Sequence, residues 1–125
     1  MLNKDTAGII CSGLCLIHCL SMPVLMTLGA SGLSLSFLEK EWIHWAFLVP
    51  ILLLISLSLP QGFNVHLNKV PLTLALSGCL ILIAGLTVIT SYGEWFIVMA
   101  SMLIILAHYY NRKLLGLKKY DYKRV

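Results

Sequence analysis

Residues 7–28 read Ala7-Gly-Ile-Ile-Cys11-Ser-Gly-Leu-Cys15-Leu-Ile-His18-Cys19-Leu-Ser-Met22-Pro23-Val-Leu-Met26-Thr-Leu28, with no Asp, Glu, Lys or Arg among them. An apolar run of about 20 residues is what a helix needs to cross the hydrocarbon core of a bilayer. Within that core every backbone N–H and C=O must pair inside the segment, which selects the α-helix. At about 100° per residue, Cys11, Cys15, His18 and Cys19 fall within roughly a 100° arc, and Met22 and Met26 extend the stripe. The stretch therefore predicts a membrane-spanning helix with soft donors along one face.

The rest of the chain agrees with the first half of that reading. It has 125 residues, of which 59% are hydrophobic and 11% charged; soluble domains carry about 25% charge. Mean hydropathy is +0.92. Three more apolar runs follow, so the expectation is an all-α, integral membrane four-helix bundle forming one domain. Its spans are expected at about 7–28, 42–59, 71–91 and 95–110, with a basic tail over 111–125. Gly29 to Gly32 ends the first run and Pro60-Gln61-Gly62 the second. Pro71 opens the third, where a missing N–H costs nothing. The charged tail beyond residue 113 is expected to fray. The first run is too long for a signal-peptide core and carries Pro23, His18 and three cysteines, so it reads as a retained span.

Charge sets the expected orientation. With four spans, Lys4, Lys69, Arg112, Lys113, Lys118, Lys119, Lys123 and Arg124 share one side, against Lys40 on the other. The positive-inside rule then makes both termini cytoplasmic. Trp42, Trp45, Tyr92 and Trp95 form an outer aromatic belt, and Tyr109 and Tyr110 an inner one. The net charge of +4 is accounted for by this membrane-flanking tail, with no nucleic-acid partner required.

Hardness carries the case for a metal. Thiolates and thioethers select soft ions, and imidazole adds borderline ions such as zinc and copper. A thiolate deep in a membrane is costly unless a bound cation compensates it. Pro23 cannot donate to the carbonyl of Cys19 and predicts a local break beside the donors. Counting about 1.5 Å per residue, Cys15, His18, Cys19 and Cys79 reach a common depth that His108 also approaches. Cys11 is an accessory, Cys79 beside Gly78 doubles as a close-packing position, and Met22 and Met26 read as filler. His44 falls near the outer face and His66 in the loop between the second and third spans, both away from that zone.

No paired carboxylates, phosphate-binding loop or serine triad is present, so an enzyme is not expected. All five acidic residues stand at span ends or termini, which speaks against proton-coupled chemistry on buried carboxylates. Two other classes stay open: a haem-binding electron-transfer bundle with His18 and His108 as axial ligands, and a structural membrane subunit. A thiol–disulfide oxidoreductase wants cysteine pairs nearer the membrane edge.

Cys15-Leu-Ile-His18-Cys19 followed by Pro23, His44 opening the second span, His66 after it, and Ala107-His108-x-x-Asn111-x-Lys113 closing the fourth resemble the MerC family over nearly the whole chain. The resemblance implies a small multi-pass protein of the inner membrane associated with mercuric-ion uptake. It also adds His44 and His66 to the metal candidates Cys15, His18, Cys19, Cys79 and His108. One departure stands out: mercury transporters are similar in carrying vicinal cysteines, whereas Cys15 and Cys19 are one helical turn apart. Mixed thiolate and imidazole donors suit zinc or copper as well as mercury. The expected function is therefore binding and transport of a soft or borderline ion. Four spans are few for alternating access, so a homo-oligomer is compatible with that role.

Overall fold

A computed structural model describes residues 2–28, 42–87 and 92–124. Four helices make up the fold: α1 (Leu2–Thr27), α2 (Trp42–His66), α3 (Val70–Thr87) and α4 (Tyr92–Arg124). All four are long and apolar enough to cross a membrane. Large apolar side chains such as Ile17, Val49, Leu80 and Met99 stand more than half exposed on the outside of the bundle. In lipid that exposure carries no hydrophobic penalty; in water it would be an aggregation surface. The chain is an all-α, multi-pass membrane protein.

α4 is the central element, packing against each of the other three helices, while α1 and α3 barely meet. Small residues bring α3 and α4 together. The buried face of α3 is Pro71, Ala75, Gly78, Leu82 and Gly85, alternating steps of four and three. A Cβ on Gly78 would lie 2.8 Å from Ile104 Cγ1 and 3.2 Å from the Ala100 carbonyl oxygen. Without a hydrophobic force between helices in lipid, such close backbone approach is what holds them together. Ala75, Ala100, Ile104 and Ala107 are fully buried in the resulting core.

Three boundaries differ from the sequence-based expectation. α1 begins at Leu2, five residues before the apolar run, and so takes Lys4 and Asp5 into its first turns. α2 passes through both Pro50 and Pro60 and ends at His66. A proline removes one intrahelical hydrogen bond, and packing outweighs that loss here: Leu59 is 1% exposed and Gly62 lies against Asn111. α2 then closes on Leu67, whose φ of 57° is left-handed. Asn68 Oδ1 accepts from the Val70 N–H at 2.9 Å and caps α3. The tail expected to fray continues as helix through Arg124. Buried Leu115 anchors its first turn. At about 1.5 Å per residue, α4 is roughly 50 Å long, well beyond a 30 Å hydrocarbon core.

Trp42, Trp45 and Trp95 are exposed at one end, on the first turns of α2 and α4, and Tyr109 and Tyr110 are exposed further along α4. Residues 29–41, with Lys40 and the Gly29 to Gly32 stretch, and residues 88–91 lie outside the described residues, as do the side chains of Pro23, Met26, His44 and Tyr92. The helix itself continues past Pro23 to Thr27.

Candidate functional site

Buried positions along α1 are Asp5, Gly8, Ser12, Cys15 and Cys19, again in steps of three and four. This face meets α4 in antiparallel sense: Asp5 and Gly8 contact His108, and Cys15 contacts Ser101. Two centres lie along it.

The first is the thiol pair. Cys15 and Cys19 are 2% and 5% exposed, one turn apart, with their side chains in mutual contact. No disulfide joins any of the four cysteines, and Cys11 and Cys79 are half-buried. Ser101 lies beside Cys15 without a well-formed hydrogen bond of its own. Glu94, in the first turn of α4, is in electrostatic range of Cys19. His18 turns toward α2, its ring centroid 6.1 Å from that of Phe47 at a 45° tilt. Cys79 packs against the apolar core from α3. Among the described residues, no group of three or more His, Cys, Asp or Glu is gathered as a ligand set. The shared zone expected for Cys15, His18, Cys19, Cys79 and His108 is thus divided between separate contacts.

The second centre was not legible as a site. Asp5 is fully buried. Its Oδ1 accepts from Ser58 Oγ at 2.6 Å and contacts His108 Nδ1 at 2.9 Å. Asn111 Nδ2 donates to both carboxylate oxygens, at 3.0 and 2.9 Å. A carboxylate only accepts, so His108 donates from Nδ1. His66 joins through Asn111: its Nδ1 accepts from the Asn68 N–H at 3.0 Å, so Nε2 carries the proton and donates to Asn111 Oδ1 at 2.9 Å. His66, expected in a solvated loop, instead closes α2 and belongs to this network. Lys4 donates to Gln61 at 3.1 Å and Arg112 to Thr6 at 3.1 Å around its rim.

Asp5 therefore corrects the expectation that the acidic residues stay out of the interior. Its signal was available in the spacing, since Asp5, Gly8 and Ser12 continue the cysteine stripe toward the N-terminus. His108 is correspondingly removed from the thiols, because Asp5 and Cys15 are ten residues, about 15 Å, apart on α1. Its ring lies flat against the helix, and a Cβ on Gly8 would sit 2.5 to 2.7 Å from three ring atoms. With Nδ1 on Asp5, Nε2 is the ring nitrogen left for another partner, and it lies beside Gly8 of α1.

Neither a curated protein nor a solved structure matches the chain. A family model described as MerC mercury resistance protein matches residues 5–113, from Asp5 to just beyond Asn111. With both centres inside that match, the chain belongs to the MerC family.

Proposed function

We propose that the protein binds a soft or borderline divalent metal ion and moves it across the membrane by ligand exchange. Mercuric ion is the cargo the family description favours, with zinc and copper compatible with the donors. The observation that carries this reading is the buried contact between Cys15 and Cys19 on one face of a spanning helix. Two thiols that take a divalent ion release two protons as they become thiolates, and the neutral complex is far less costly in a membrane interior than either charge alone. His18, on the same arc, is the third donor once it turns from Phe47. Cys79 and His108 are the candidates for onward transfer, and His44 is a candidate at the opposite end. The distribution of Lys and Arg supports an orientation with both termini in the cytoplasm, and the family resemblance supports the inner membrane as its location.

The test pairs accumulation with binding. Cells expressing the native chain should accumulate the ion, and the purified protein should bind it with a thiolate-to-metal absorbance band. The Cys15→Ser, Cys19→Ser double variant should lose both. Full accumulation and full binding by that variant would refute the reading.

A further inference from the structure

Among the described residues, the buried polar or charged side chains are Asp5, Ser12, Ser58, Ser101, His108 and Asn111. All but Ser58 belong to α1 and α4. The buried side-chain atoms that lack a hydrogen-bond partner are Ser12 Oγ, Ser101 Oγ and His108 Nε2, so every one of them lies on these two helices. An unsatisfied buried polar atom costs about 1–3 kcal/mol, and native structures keep few of them.

Their positions form a sequence. Ser101 lies beside Cys15. Ser12, fully buried, is three residues from Cys15 and four from Gly8, both of which face α4, so it falls between the thiol level and the His108 level. Nε2 of His108 lies against Gly8. From Cys15 to Ser12 is about 4.5 Å along the helix and from Ser12 to Asp5 about 10 Å. Elsewhere the interior is lined by groups such as Leu48, Ile51, Leu82 and Ile104, which offer a cation nothing.

We infer that the seam between α1 and α4 is the route by which the ion leaves the thiol pair, with Ser12 as an oxygen donor midway and Asp5 with His108 as the receiving station. This rests on the metal-transport reading above. Each unpartnered atom has a free lone pair or becomes a donor to an ion-borne water. Asp5 supplies the anionic charge and His108 the imidazole that a borderline divalent ion accepts. In the present state Ser58 and Asn111 occupy the carboxylate, so the station is closed from below by α2 and α4.

Removing an unpartnered hydroxyl deletes no hydrogen bond, so Ser12→Ala separates transport from stability. The full chain in proteoliposomes with an enclosed metal-sensitive dye reports uptake of mercuric and zinc ions. Detergent titration reports thiol binding, and thermal unfolding reports stability. Ser12→Ala should slow uptake by about fivefold or more, the effect of one lost donor, with thiol binding unchanged and the melting temperature unchanged or raised. Asp5→Asn should abolish uptake while the thiol absorbance band persists, with a cooperative thermal unfolding transition showing that the variant is folded. Native uptake rates in Ser12→Ala, alongside loss in the Cys15, Cys19 double variant, would overturn the seam and leave the thiol reading standing. If the native chain takes up neither ion, both fall together.

Discussion

At one end of the bundle Asp5 is bound by Ser58, His108 and Asn111, with His66 behind Asn111, so three helices converge on one carboxylate. About 15 Å along the same face of α1, Cys15 and Cys19 touch each other and Cys15 lies against Ser101, in surroundings that are otherwise apolar. In lipid, each polar group of the first centre has nowhere else to bond, so its satisfaction joins α1, α2 and α4 mechanically. The second centre holds soft, weakly hydrogen-bonding groups that lose little on burial and have high affinity for soft ions. The first region ties three helices together while lying at the far end of the proposed route, and the second supplies the reactive thiols.

That division is open to breaking. The largest effect on stability is expected from Asp5→Ala, which leaves the donors of Ser58, His108 and Asn111 buried and unpaired. A loss of about 3–5 kcal/mol should appear in detergent unfolding, and a loss below about 1 kcal/mol would show that the network is solvated. Gly8→Ala acts on the same centre without removing a hydrogen-bonding group. Its methyl displaces the His108 ring, and about 2–3 kcal/mol is the expected cost of that overpacking. Gly78→Ala tests the apolar contact instead. Ile104 can shift but the Ala100 carbonyl cannot, so about 1–2 kcal/mol is expected in the same assay. Smallest of all in stability is the Cys15→Ser, Cys19→Ser double variant, within about 1 kcal/mol of native because each serine hydroxyl can donate to the helix carbonyl one turn back, although it should abolish metal binding. A protein that unfolds on losing its thiols would erase the contrast between the two regions.

Much of this was legible in one dimension. Hydropathy marks four spans because a bilayer requires about 20 apolar residues per crossing, and the helical repeat places Cys11, Cys15, His18 and Cys19 on one arc. Pro60 misled because a proline is a local signal, whereas α2 is carried through it by Leu59 in the core and by Gly62 against Asn111. The tail misled in the same way. Its charges say nothing of Leu115, which packs back on the bundle.

By itself the sequence determined the membrane-spanning helices, the face on which soft donors lie and the family to which the chain belongs. Periodicity and composition are properties of consecutive residues, and these features need nothing more. Tertiary structure alone decided that Asp5 meets His108 across 103 residues of chain, that His66 reaches that carboxylate through Asn111, and that His108 stands apart from the thiols. Helical spacing shows which residues share a face. Which faces meet is chosen by close approach at glycines such as Gly8, Gly62 and Gly78 and by the need to pair every buried polar group.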